Sequence, residues 1–363
     1  MTPEEVKAFE GFKAKAEKGD RVAQHNLGYC YYNGEGVAKD LVQAVSWYRK
    51  AAEQGLAEAQ SSLGNRYYFG EGVAKDYVQA VSWWRKAAEQ GDAQAQTNLG
   101  VCYDNGLGVT KDSVEAASWF RKSAEQGHVD AQYSLGNACR TGEGVPQDLV
   151  QAALWYRKAA ESGHSSAQYS LGTCYMKGLG VAKDQLQAGA WYRKAAEQGY
   201  ASAQRSLGFC YANGVGVAQD FVQAVSWYRK AAEGGDAMAQ SFLGSRYFTG
   251  KGVDRDYVQA VSWYRKAAEQ GYDDAQRGLG NCYANGLGVI KNEIEAYAYF
   301  NLAGITNVIA RAELAVLEKG MTSDARLLGQ QRTIQLQKEI EGRIETEQDL
   351  LDAIRKEKMR EGI

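Results

Sequence analysis

Proline and histidine are scarce: 2 and 3 copies in 363 residues. So few prolines leave no material for long rigid linkers between separate globules. The histidines are His25, His128 and His164, and no acidic or thiol partner recurs beside them, so no zinc site is expected. Positive charge is not in excess either, with 42 basic against 44 acidic side chains. A protein that neutralises phosphates needs a basic surplus, which argues against nucleic acid as a partner. The recurring Trp-Tyr-Arg-Lys run has a superficial nucleic-acid look, but Glu53, four residues after Arg49, and its equivalents neutralise that face.

Long apolar runs are missing, and none approaches the roughly 20 residues that span a bilayer. The opening Met1-Thr2-Pro3-Glu4-Glu5 is acidic and lacks the apolar stretch of a signal peptide. Neither Ser-x-x-Lys nor Gly-x-Ser-x-Gly occurs, which removes the commonest serine-nucleophile patterns. Glu35 and Glu71 sit between the glycines of Gly-x-Gly-Val, without the Lys-Ser/Thr of a phosphate loop. No cofactor is expected.

What the chain has in quantity is one repeated unit. Units start at Ala23, Ala59, Ala95, Ala131, Ala167, Ala203, Ala239 and Ala275, a spacing of 36 that never slips. Most of the 41 glycines fall at four places in this unit, so they punctuate it. Two helices can be read in each. In the first, Ala95, Leu99, Tyr103 and Gly106 share one face, and Asn105-Gly106 ends it. The second opens on an Asp followed three residues later by Gln or Glu, as in Asp76/Gln79. That spacing predicts a capping box, with the Gln reaching back to the Asp N–H. Seven Trp on one register, Trp47 to Trp263, form a ladder expected to supply bulk where helices meet.

A helix pair this small cannot bury its apolar side alone, so stability must come from stacking neighbours. Of six cysteines, Cys30, Cys102, Cys174, Cys210 and Cys282 share one slot, and Cys139 lies one slot later. Equivalent residues of stacked helices lie about 8–10 Å apart, beyond the roughly 7 Å a disulfide allows. Reduced thiols and a cytoplasmic place are therefore expected; a periplasmic or secreted place would require a leader removed from this chain.

The Ala203–Gly235 stretch resembles the Sel-one-like repeat (SLR) family, a tetratricopeptide-like class, almost in full. The resemblance covers about Ala23 to Asn307. It implies an all-α, right-handed α/α superhelical solenoid with the first helix of each unit on the concave side. It also implies a scaffold or adaptor that binds a partner protein or peptide without catalysis. Some secreted bacterial relatives carry paired cysteines within each repeat; this chain has one at most, and departs from them. Two other readings stay open: an immunity-type inhibitor of a partner enzyme or toxin, and a cell-wall or β-lactam hydrolase. The hydrolase would need a nucleophile beside a base, and no such pattern occurs.

Expected organisation is a capping helix over 1–22, eight repeats over 23–310, closing helices over 311–342 and a charged amphipathic tail over 343–363. The tail keeps Leu350, Leu351 and Ile354. A monomer is expected. Counting the repeated Ala as slot one, slots three, seven and ten lie opposite the Ala/Leu/Tyr face and differ from unit to unit. They are rich in Tyr, Phe and Arg, the types that dominate binding hot spots. The candidate partner-binding residues are Tyr29, Tyr32, Tyr68, Tyr133, Arg140, Tyr169, Met176, Arg205, Phe209, Phe248 and Arg277. Tyr133, Arg140, Tyr169 and Arg205 are the expected centre.

Overall fold

The computed structural model describes residues 2–361, with side chains through Arg343 and at Glu345. Among the described residues there are 19 helices and no strands. Helix α1 spans Pro3–Ala16; the repeats then pair α2 (Arg21–Asn33) with α3 (Leu41–Glu53), and α4 (Ala57–Phe69) with α5 (Tyr77–Glu89). The pairs α6 (Ala93–Asn105) and α7 (Ser113–Glu125), and α8 (Val129–Thr141) and α9 (Leu149–Glu161), follow. Next come α10 (Ser165–Lys177) with α11 (Gln185–Glu197), and α12 (Ala201–Asn213) with α13 (Phe221–Glu233). Then α14 (Ala237–Thr249) pairs with α15 (Tyr257–Ala268), and α16 (Asp273–Asn285) with α17 (Glu293–Ala303). The chain closes with α18 (Val308–Glu318) and α19 (Ser323–Glu361). Within each unit the helices of the repeats pack on their neighbours in sequence, the pattern of a repeat solenoid. Contacts divide it into two compact units, with bodies Met1–His164 and Ser165–Arg355.

Each turn is closed by a small hydrogen-bond circuit. At α3 the Asp40 carboxylate accepts from the N–H groups of Val42 and Gln43, both at 3.0 Å. The expected return bond from the Gln side chain gives way to another. The Asp40 N–H donates to the Tyr31 carbonyl at 2.8 Å, and Asp76 does the same to Tyr67 at 2.9 Å. The donor that the box would have satisfied is already spent on the end of the preceding helix. A complete capping box occurs instead at α1, between Thr2 and Glu5.

The glycine after the buried Leu sits where the two helices of a repeat touch. A Cβ on Gly64 would come within 2.5 Å of the Trp84 ring. The second glycine of Gly-x-Gly has a different duty, between repeats. Gly72 takes φ +70°, and a Cβ there would collide with the Leu41 carbonyl oxygen at the start of α3.

Bulk at the junction comes chiefly from the residue after the ladder Trp. Tyr48, Trp84, Phe120, Tyr156, Tyr192, Tyr228, Tyr264 and Phe300 are all buried. Most ladder tryptophans are only half-buried and lie flat under a lysine three residues on. Lys50 Nζ stands 3.8 Å from the Trp47 ring centroid, and Lys86 4.0 Å from that of Trp83. That is a cation–π arrangement, which lets a large ring stay at the surface.

A buried Gln in slot two braces three helices at once. Gln60 Nε2 donates to the Ala52 carbonyl at 3.1 Å, while its Oε1 accepts from Gln90 Nε2 at 2.8 Å. All six cysteines are free and buried. At the N-terminus Phe9 is buried against Tyr31, while Phe12 is half-buried. At the other end α19 runs unbroken to Glu361 and takes in residues 343–361 of the expected amphipathic tail. The side chains of Leu350, Leu351 and Ile354 lie outside the described residues.

Candidate interaction surface

Slot three varies because it is a joint. In five repeats its side chain meets the residue that precedes the next repeat's first helix, and the two change together. In unit 1, Ser61 meets Asp92 at 3.4 Å and Thr97 meets His128 at 3.1 Å. Tyr133 stacks on His164 with centroids 4.7 Å apart. In unit 2, Tyr169 packs between Tyr192 and Tyr200, at 5.6 and 5.4 Å. Arg205 pairs with Asp236 at 3.0 Å; in the last repeat Arg277 pairs instead with Glu313, inside α18, at 3.3 Å. Tyr133, Tyr169, Arg205 and Arg277 are thus half-buried pieces of inter-repeat packing. The expected central cluster also spreads over both units, Tyr133 and Arg140 in the first, Tyr169 and Arg205 in the second.

Slots seven and ten are freer. Tyr29, Arg140 and Phe209 are exposed; Tyr32, Met176 and Phe248 are half-buried. Tyr32 lies under the Arg66 guanidinium, 3.9 Å from its ring centroid, and Arg66 pairs with Glu71 at 2.7 Å. Arg140 Nε donates to the Tyr156 hydroxyl at 3.2 Å. Phe248 meets Tyr257 edge-on at 5.3 Å. Tyr68 is a correction to the surface reading. It is buried among Phe69, Tyr77 and Trp84, so its ring belongs to the core.

Sequence reasoning missed a pocket of about 150 Å³ in unit 1 between α6, α7 and α8. Phe120, Ala117 and Ala138 line it, with Asp104, Asn137 and Glu143 also contributing. Small residues make the space. Ala138 stands where Cys30 and Cys102 stand, and Phe120 lacks the hydroxyl of Tyr48 and Tyr156. An internal comparison of the repeats at slot eight would have pointed to it.

The thiols are poor nucleophiles in this setting. Burial pushes the Cys102 thiol up to about 12, and those of Cys210 and Cys282 to about 11. His25 and His164 are held below their ordinary range, again by burial. Among the described residues no group of three His, Cys, Asp or Glu is placed to hold a metal ion. No helix there is long and apolar enough to cross a membrane.

Stacked helix pairs of constant length, with packing slots held and a subset of first-helix slots released, define an α/α repeat protein. The chain belongs to the Sel1 repeat family: the Sel1 repeat pattern matches residues 21–56, 57–92, 93–128, 129–164, 165–200, 201–236, 237–272 and 273–304. Such repeats generally serve as non-catalytic protein-interaction scaffolds. A protective antigen present in uropathogenic Escherichia coli strains, with an SLR fold, is 37% identical in sequence. That match covers 95% of this chain and 82% of the other, with a TM-score of 0.65. A Sel1 repeat protein from Oxalobacter formigenes is 33% identical over 85% of this chain and 89% of its own, with a TM-score of 0.64. No curated protein matches.

Proposed function

We propose that this protein is a non-catalytic scaffold that holds a partner protein or peptide against the first-helix face of its repeats. The pocket between α6, α7 and α8 is the observation that carries this reading. Its apolar floor suits the methylene stem of a lysine or arginine. The carboxylates of Asp104 and Glu143 suit the charged end, since bonds between ionised partners are the strong ones. Tyr29, Tyr32 and Arg140 extend the same class of surface within unit 1. Phe209, Met176 and Phe248 offer a more apolar version in unit 2.

Selection of displayed random peptides against the whole chain tests this. Enriched peptides should carry a Lys or Arg beside apolar residues. The double substitution Asp104→Lys/Glu143→Lys should weaken the selected peptide at least about tenfold, roughly 1.4 kcal/mol, with helicity unchanged. Peptides lacking a basic residue, or equal binding by the double variant, would remove this seat from the reading.

A further inference from the structure

The second helices of the repeats present another face, and on one part of it the chain supplies its own ligand. Helix α19 lies against α15 and α17. Its Arg332, Leu336, Ile340 and Arg343 fall at i, i+4, i+8 and i+11, one side of a helix. Arg332 pairs with Glu295 at 2.8 Å, and Arg343 with Glu269 at 2.6 Å. Between these ion pairs Leu336 is buried, and Ile340 packs on the same core cluster, which includes Ala268 and Tyr299. The seat is formed by Arg265, Ala268, Glu269, Tyr283, Glu295 and Tyr299, with the Arg265 guanidinium donating to the Tyr283 hydroxyl at 3.1 Å.

The same seat occurs in unit 1, between α5 and α7. Arg85, Ala88, Glu89, Tyr103, Glu115 and Trp119 each lie 180 positions before their counterparts. Arg85 donates to the Tyr103 hydroxyl at 2.6 Å, as Arg265 does to Tyr283. The decisive member is Glu115. Its slot holds Gln in six repeats (Gln43, Gln79, Gln151, Gln187, Gln223 and Gln259) and an acid only in these two, Glu115 and Glu295. Glu89 and Glu115 are exposed. Glu89 also edges an open groove of about 300 Å³ on α5, lined by Val78, Val81 and Val109, which has a counterpart of about 370 Å³ beside Glu53 on α3. One difference is local: Lys122 rests on the Trp119 ring, 3.9 Å from its centroid, where α17 has Leu302.

We propose that the α5/α7 seat is a docking site for a basic amphipathic helix of a partner protein. That helix carries two aliphatic side chains one turn apart between two arginines, the chemistry α19 presents to α15 and α17. Glu89 and Glu115 receive the arginines, and the half-buried Tyr103 and Trp119 receive the aliphatic pair. This face is distinct from the first-helix surface, so the two readings fail independently.

The probe is a labelled synthetic peptide of residues 328–345, titrated into the full chain and followed by fluorescence anisotropy. Saturable binding is expected, weakened at least tenfold by Glu89→Lys/Glu115→Lys and abolished in a Leu336→Asp/Ile340→Asp peptide. Absence of binding overturns the proposal. So does binding that survives Glu89→Lys/Glu115→Lys but is lost with Glu269→Lys/Glu295→Lys, because the peptide is then exchanging with α19. Sedimentation of the chain alone gives the last arm. Self-association abolished by Glu89→Lys/Glu115→Lys assigns the seat to a second copy and overturns the partner-helix assignment.

Discussion

Gln132 donates to the Ala124 carbonyl at 3.3 Å, but its buried Oε1 meets no donor. In five other repeats the matching oxygen accepts from a Gln thirty residues on: Gln24 from Gln54, Gln60 from Gln90, Gln96 from Gln126, Gln168 from Gln198, and Gln240 from Gln270. Thirty positions after Gln132 stands Ser162, too short to reach. A buried acceptor without a partner costs free energy comparable to a lost hydrogen bond. Ser162→Gln should therefore stabilise unit 1 by about 1 kcal/mol, read as a higher urea midpoint at constant slope. An unchanged or lower midpoint would contradict the brace.

Two glycine-to-alanine changes should move stability in opposite directions. At Gly64 the new methyl presses on the Trp84 ring, and overpacking of this kind costs about 1–3 kcal/mol. Gly11 lies exposed in the interior of α1 with nothing within 4 Å of a new Cβ. There alanine should stabilise the helix by about 0.5–1 kcal/mol through propensity alone. Thermal melts of the two variants beside the parent chain decide it.

Acid should weaken the fold in a specific window. Burial lowers the His164 pKa, partly offset by the nearby Asp130 carboxylate, and burial lowers that of His25 too. The unfolded chain therefore takes up these protons more readily than the native one. Stability from the neutral imidazoles is fully present above about pH 6.5 and is lost as pH falls through the depressed values. His164→Phe keeps a ring against Tyr133 and removes one such proton. Its urea midpoint should fall less than the parent's between about pH 7.5 and 5.5; an equal fall would exclude His164 as a contributor.

Thiol chemistry offers a further check. With Cys102 raised to about 12 and Cys210 and Cys282 to about 11, thiolate is scarce at neutral pH. The native protein should react slowly with an aromatic disulfide reagent at about pH 8, and all six thiols promptly in denaturant. Rapid labelling of the native chain would show that the helices open more readily than their packing implies.

The repeat length, the helix boundaries and the glycine turns were all legible in the sequence, because each rests on local geometry that one chain states eight times. The packing partner of slot three was not. Arg205 and Asp236 lie 31 positions apart, as do Tyr169 and Tyr200, and each pair changes as a pair, so one slot seen alone resembles an unconstrained surface. Tyr68 misled for a related reason. Phe69 and Tyr77 enclose it, and no spacing rule for a single helix reveals contacts made across a turn. The second-helix seat was hidden as well, since a lone Glu in place of Gln means little until α19 shows what an acid does there.

The bond from Asp76 N–H to the Tyr67 carbonyl ties the start of one helix to the end of the helix before it, across nine positions. With Gly72 pressed on Leu41, that connector can neither lengthen nor shorten by a residue without losing both contacts. Side chains in slots without a packing partner can therefore diversify while chain length between them stays rigid. Growth or loss of such a molecule proceeds by whole modules, each insertion or deletion of thirty-six residues leaving every remaining joint intact.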